Sequence, residues 1–81
     1  MEDYSKLSNL AISDSGFVFN PQNGDSFTLN PTARFILKKL KKNENKEDIL
    51  DALTDTFDVE RGDAEIDFDN FAAQLLMYKL V

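Results

Sequence analysis

Apolar and polar residues alternate along two short stretches in the first part of the chain. Phe17 and Phe19 place their rings on one face of a strand, and Phe27 and Leu29 do the same on the next strand. A period of two is typical of a sheet with one buried face. Together with an earlier apolar run, the pattern predicts three strands, at about Leu10–Ser13, Phe17–Asn20 and Ser26–Leu29.

Turn-forming residues separate these strands. The first turn is Asp14-Ser15-Gly16, and the second is Asn20-Pro21-Gln22-Asn23-Gly24. In the second turn, Pro21 fixes φ and Asn23-Gly24 supplies the left-handed backbone that a short hairpin loop needs. The two signals predict a β-hairpin whose second strand runs straight into a helix.

Helical spacing begins directly after the third strand. A first helix is predicted from about Pro31 to Lys42, with Asn30 as its N-cap. Pro31 suits the first helical position, because its missing N–H costs nothing there. The apolar residues that give this helix its buried stripe are Ala33, Ile36, Leu37 and Leu40.

Two more helices follow. Asn45, with Asp48 three residues later, resembles a capping box and predicts a second helix that ends near Phe57. For the third helix, Asp58 and Asp63 are both candidate N-caps, and the sequence does not choose between them. Its apolar spine is formed by Ala64, Phe68, Phe71, Ala72 and Leu75.

This order of elements predicts an α+β fold, β-β-β-α-α-α, in which a three-stranded antiparallel sheet precedes three helices. The chain has 81 residues, which is enough for one domain. We expect that domain to span residues 9–81. Residues 1–8 are polar apart from Tyr4 and Leu7, and are expected to form a loose N-terminal arm.

The composition removes most catalytic chemistry. The chain has no cysteine and no histidine, so nucleophilic triads, imidazole bases and nearly all zinc sites are excluded. Phe68 and Gln74 stand where a calcium-binding loop needs Gly and Glu. The acids that resemble the start of such a loop are therefore interpreted as a solvated helix face: Asp63, Glu65, Asp67 and Asp69. We expect no catalytic residue, no metal site and no cofactor.

The net charge of −6 argues against a nucleic-acid partner, because phosphate binding depends on Lys and Arg. No apolar run approaches the roughly 20 residues that span a membrane, and Met1-Glu2-Asp3-Tyr4 lacks the pattern of a signal peptide. A cytoplasmic protein with no membrane partner is expected. One basic cluster, interpreted as a solvated helix end with an acidic partner protein as the functional alternative, consists of Lys38, Lys39, Lys41 and Lys42.

The third strand suggests a binding function. If the strands pair in chain order, this strand is an edge with unpaired backbone groups. The segment Asp25–Asn30 contains no Pro or Lys that would protect the edge. Either a helix covers it, or an extended peptide pairs there as an added strand. The surplus apolar residues Leu76, Met77 and Tyr78 favour the second interpretation, because such side chains suit recognition surfaces.

The chain resembles the PqqD family, the small peptide-carrier proteins of ribosomal-peptide maturation. The resemblance covers roughly Leu10 to Val81. Its most specific part is Gly16-x-Val18-Phe19-Asn20, then Gly24-x-Ser26-Phe27-x-Leu29-Asn30-x-Thr32-Ala33 and Ile36-Leu37. The third helix and chain end match through Asp67-Phe68, Phe71, Leu75 and Leu80-Val81.

The resemblance implies a winged-helix-like domain that is not an enzyme. In this family, the leader of a precursor peptide adds to the third strand beside the third helix, and a separate modifying enzyme, often a radical-SAM maturase, does the chemistry. Carried onto this chain, the peptide-binding strand is Asp25, Ser26, Phe27, Thr28, Leu29 and Asn30. The helical wall is expected to be Ala72, Ala73, Leu76, Met77 and Tyr78.

Two alternatives belong to other classes of protein. A winged-helix DNA-binding regulator needs a basic recognition helix, and the predicted third helix is acidic. A module that docks a folded partner without any leader peptide is barely separated from the carrier by sequence alone.

Overall fold

A computed structural model describes residue 7, residues 9–22 and residues 24–78. Within these ranges the chain forms an antiparallel sheet of order β1-β2-β3 followed by three helices. The predicted α+β fold and its element order are therefore confirmed. The strands are β1 (Ala11–Ile12), β2 (Phe17–Phe19) and β3 (Ser26–Thr28), and the helices are α1 (Pro31–Lys41), α2 (Lys46–Phe57) and α3 (Arg61–Met77).

The buried face of β2 is formed by Val18, which is fully buried. Val18 pairs with Phe27 across the ladder, and opposite residues of an antiparallel pair share one face of the sheet. Phe17 and Phe19 therefore lie on the other face, where they are 47% and 39% exposed. The alternation predicted by the sequence is present, but the two rings of β2 face away from the core.

Gly16 forms the last pair of the β2–β3 ladder, at the end away from the hairpin turn. The Leu29 N–H donates to the Gly16 carbonyl at 2.8 Å, and Gly16 has a φ of +89°. A Cβ at this position would lie 2.6 Å from the Leu29 carbonyl oxygen. Only glycine satisfies both conditions, since it tolerates positive φ and has no Cβ.

The N-caps predicted for the first two helices are confirmed. Asn30 Oδ1 accepts the Ala33 N–H at 2.8 Å, and Asn45 Oδ1 accepts the Asp48 N–H at 2.8 Å. Each bond satisfies one of the N–H groups that a helix start leaves without a partner.

Both candidate N-caps of the third helix are wrong. Glu60 occupies the cap and makes no side-chain capping bond, and Asp63 lies in the first turn of α3. Asp58 instead ends α2 with a left-handed φ of 54°. Asp is one of the few residues other than Gly that adopt this conformation readily, so its short side chain suits the end of one helix here.

The core lies between the inner face of the sheet and the three helices. It includes every residue of the predicted α3 spine, with Ala72 only partly buried at its margin. Leu7 is also fully buried, although it belongs to the segment expected to be a loose arm. Residues 1–6 and 8 lie outside the described residues, so the arm and the domain boundary stay predictions. None of the helices in the described ranges is long and apolar enough to cross a membrane.

Alanine substitutions at the three glycines are expected to change the free energy of unfolding in different directions. Gly16→Ala combines positive φ with a close backbone contact and should lower the free energy of unfolding by at least about 1–3 kcal/mol. At Gly24 an added Cβ meets no atom within 4 Å, although φ is +77°. Gly24→Ala should therefore lower the free energy of unfolding less than Gly16→Ala, through backbone strain alone. Gly62→Ala in the first turn of α3 meets no atom within 4 Å and should gain up to about 1 kcal/mol. Urea unfolding measures all three, and a Gly16→Ala variant as stable as the parent would contradict the role of this turn.

Candidate peptide-binding groove

The outer edge of β3 presents the backbone of alternate residues. Ladder hydrogen bonds are present at the flanking pairs, from Asn20 N–H to Asp25 O and from Leu29 N–H to Gly16 O, each at 2.8 Å. Bonded and non-bonded pairs alternate in an antiparallel ladder, so the Phe27 backbone bonds to β2. The N–H and C=O groups of Ser26 and Thr28 consequently point away from β2. In the described part of the chain no strand pairs with this side of β3.

At the opposite edge of the sheet, the backbone beside β1 has hydrogen-bond partners within the chain. On β1, the Leu10 carbonyl accepts a hydrogen bond from Lys41 Nζ at 2.6 Å, and the Leu10 N–H donates to the Leu7 carbonyl at 3.1 Å. A lysine at an edge is a common protection against strand pairing. Of the two edges, β3 is therefore the one whose backbone offers a continuous site for an added strand.

We call the space between the β3 edge and α3 the groove. The Cα atoms of β3 and α3 stay more than 8 Å apart. Beyond the end of β3, between the start of α1 and α3, lies a pocket of about 190 Å³. Its lining residues come from the start of α1 and from α3: Asn30, Thr32, Ala33, Asp67, Phe71 and Gln74.

One stripe of α3 faces this groove. Asp67, Phe71 and Gln74 line the pocket, and Tyr78 follows at the same helical spacing. The Tyr78 ring stacks on Phe27, with ring centroids 4.8 Å apart and an interplanar angle of 8°. This stacking joins the end of α3 to the core face of β3 and closes the groove at its base.

The predicted strand residues lie together along β3 and its flanks. Ser26 and Thr28 are exposed and share the outer face of the sheet with the rings of β2, since they pair with Phe19 and Phe17. Phe27 is half-buried on the inner face, and Leu29 is buried in the core. The Leu29 side chain therefore belongs to the core, and only its backbone is part of the predicted binding strand.

The helical residues chosen from the sequence are spread around α3. Ala72 packs at the core margin, Ala73 is exposed, and Leu76 and Met77 are 60% and 81% exposed. With about 100° between successive residues, the first three lie about 100° or more from the nearest residue of the groove stripe. Met77 lies about 60° away, and Tyr78 belongs to the stripe.

Sequence reasoning missed Thr32, Ala33, Asp67, Phe71 and Gln74 as groove residues. A signal was present, because residues 67, 71, 74 and 78 follow the spacing of a single helical stripe. Phe71 was assigned to the core alone, and the exposed apolar residues near the end of α3 drew attention to a different face. Leu80-Val81, which contribute to the family resemblance, lie outside the described residues.

The acids of α3 divide between two faces. Glu65 and Asp69 bind Lys46 Nζ at 3.3 and 3.1 Å, and the hydrogen bond to Asp69 is the main cause that raises the pKa of Lys46. Asp67 instead lines the groove pocket, where no Lys or Arg of the described residues is found. The alternating acids therefore do not converge, as the sequence predicted.

A second ion-pair group holds α3 against α2. The Arg61 guanidinium binds both Asp51 and Glu47 of α2, and the hydrogen bond to Asp51 is the main cause that raises the pKa of Arg61. All of these groups are exposed, so each pair contributes little to stability by itself. The rotation of α3 is set mainly by its buried residues Ala64, Phe68, Phe71 and Leu75.

Comparison with known proteins identifies the class. The family model described as coenzyme PQQ synthesis protein D (PqqD) matches residues 16–81. The chain therefore belongs to the PqqD family.

A solved structure of lasso peptide synthetase B1, complexed with the leader peptide, is 30% identical to this chain. It superimposes with a TM-score of 0.73, and the alignment covers 85% of this chain and 82% of that chain. No curated protein matches the chain.

Proposed function

We propose that this protein is a non-catalytic carrier that captures the leader of a ribosomally synthesised precursor peptide as a fourth strand on β3. The observation that carries the proposal is the outward backbone of Ser26 and Thr28 beside the α3 groove. Membership of the PqqD family and the leader-bound state of the similar lasso peptide synthetase B1 support it.

Two kinds of contact would stabilise such a complex. The two outward residues offer two donors and two acceptors, and each hydrogen bond contributes about 0.5–1.5 kcal/mol. Two or three apolar side chains of the peptide, buried against Tyr78 and Phe71, add about 1.5–3 kcal/mol each. Because association and ordering of the peptide oppose binding, both kinds of contact are needed.

The carrier presents the bound leader to a separate modifying enzyme, for which a radical-SAM maturase is our specific candidate. A chain without cysteine or histidine has few means of catalysing the modification itself. We place this reaction in the cytoplasm, where precursor peptides are made.

DNA binding by the winged-helix-like fold finds no support in the charges. In α3 the basic residue is Arg61, which is engaged by two carboxylates of α2. A recognition helix that enters the major groove needs basic and polar side chains facing the phosphates.

Thr28→Pro is expected to weaken leader binding while the domain stays folded. The substitution removes an N–H that faces the open edge, and proline is tolerated on edge strands in this orientation. A peptide carbonyl left without its donor costs about 1–3 kcal/mol, which is about a five- to hundredfold rise in Kd. Isothermal titration with the leader encoded beside the gene measures the change.

Two controls separate edge pairing from general damage. Thr28→Val keeps the N–H and should bind within about twofold of the parent. Phe27→Pro removes a bond to β2 and should lower stability as well as binding. Unchanged affinity in a folded Thr28→Pro variant would count decisively against strand addition at β3.

A matched pair of substitutions tests which face of α3 forms the wall. Gln74→Trp fills the groove pocket and should weaken leader binding about tenfold or more. Ala73→Trp places the same ring about 100° further round the helix and should change Kd less than about twofold. Fluorescence anisotropy with a labelled leader measures both, and the opposite order of effects would move the wall to the face of Ala73 and Leu76.

A further inference from the structure

A second groove lies at the other edge of the sheet, between β1 and α1. Its volume is about 580 Å³, and the Cα atoms of β1 and α1 stay more than 8 Å apart. Apolar residues of β1 and lysines of α1 line it: Leu10, Ala11, Ile12, Lys38, Lys41 and Lys42. We call this surface the β1/α1 groove. It does not share a residue with the pocket beside β3.

Two of the three lysines of the β1/α1 groove, Lys38 and Lys42, are weakly engaged by the described residues. Lys38 lies 3.9 Å from Asp14, whose side chain is fully exposed, so that pair contributes little. Lys41 is bound to the Leu10 carbonyl, and Lys42 makes no side-chain bond with the described residues. In contrast, Lys39 turns away from the groove and pairs with Glu44 at 3.4 Å.

The strand beside these lysines has backbone groups that no described residue pairs with. The Ser13 N–H donates to the Phe17 carbonyl at 2.8 Å, and Ala11 pairs with Phe19. Because bonded and non-bonded pairs alternate, the N–H and C=O of Ile12 point into the β1/α1 groove. The β1/α1 groove therefore combines three features. These are the outward N–H and C=O of Ile12, the apolar residues of the strand and the ammonium groups of the lysines.

We propose that the β1/α1 groove docks an extended segment of a partner protein that is rich in both acidic and aliphatic residues. Aliphatic side chains match the exposed Ala11 and the partly buried Ile12, and carboxylates match Lys38 and Lys42. The charge complementarity is specific to this edge, since the chain as a whole carries −6. Because the two grooves lie at opposite edges of the sheet, the partner and a leader peptide can bind at once. This inference goes beyond leader capture and does not depend on it.

Phosphate-rich partners fit this groove less well. Binding to DNA or an anionic membrane rests on many cation contacts, whereas this groove presents three lysines. DNA and anionic vesicles are therefore competing ligands in the experiment below.

The experiment uses a defined probe, an acetylated and amidated peptide made of two copies of Glu-Ile-Glu-Val. Titration into the ¹⁵N-labelled chain should shift the amides of Ala11–Ser13 and of residues 38–42, and leave those of Ser26–Thr28 unchanged. A peptide with Lys in place of Glu, and an oligoglutamate of equal charge, should bind at least about tenfold more weakly. The proposal is overturned if the probe causes no shifts, or if oligoglutamate binds as well as the probe.

Charge reversal supplies the matched control. The double variant Lys38→Glu/Lys42→Glu should raise the Kd of the probe about tenfold or more, because two attractive contacts become repulsive. Lys39→Glu changes the same helix by a neighbouring charge outside the groove and should alter Kd less than about twofold. Equal effects of the two variants would show non-specific attraction and overturn the proposal.

Two further readouts separate this site from its competitors and from leader capture. Phosphatidylglycerol vesicles and a short DNA duplex should bind more weakly than the probe, and tighter binding of either through Lys38 and Lys42 would overturn the proposal in favour of that occupant. Leader binding to the double variant should match the parent. A parent chain that binds the probe but not the leader would contradict the proposed function alone.

Discussion

The hydrogen bond from Leu29 N–H to Gly16 C=O is the constraint on which the rest of the structure depends. It fixes the register of β2 and β3, and a slip of one residue would exchange the two faces and the two edges of β3. The same short segment then buries the Leu29 side chain in the core and uses Asn30 to cap α1. The pair of Leu29 and Gly16 thus also determines that the backbone groups of Ser26 and Thr28 point away from β2.

The two edges of the sheet have different chemical surroundings. At β1, α1 brings lysines to the strand and Lys41 occupies a backbone carbonyl. At β3, α3 brings a stripe with Asp67 and stacks Tyr78 on Phe27, and no described residue pairs with the outer edge of the strand. Buried residues of α3 such as Phe68 and Leu75 hold the helix in this position. Within the described residues, β3 is therefore the edge with the longer open backbone.

Local signals in the sequence predicted most of the fold. Asn30-Pro31 and Asn45 mark helix starts by capping chemistry that depends on a few neighbouring residues, and the α3 spine follows a simple period. The site was harder to predict, because it depends on how α3 is rotated against β3. That rotation is set by contacts distant in sequence, such as the stacking of Phe27 with Tyr78 and the burial of Phe68 in the core. The sequence favours the exposed Leu76 and Met77 as a recognition surface, and in the structure these two residues lie outside the stripe that lines the pocket with Phe71 and Gln74.

Amide hydrogen exchange followed by NMR tests most directly whether a leader peptide adds as a fourth strand on β3. In the free chain the Phe27 amide should exchange slowly and the Ser26 and Thr28 amides quickly, because only Phe27 bonds to β2. On saturation with the leader, Ser26 and Thr28 should become protected by at least about tenfold, while Phe27 changes little. Leader binding that leaves both of these amides in fast exchange would contradict the account.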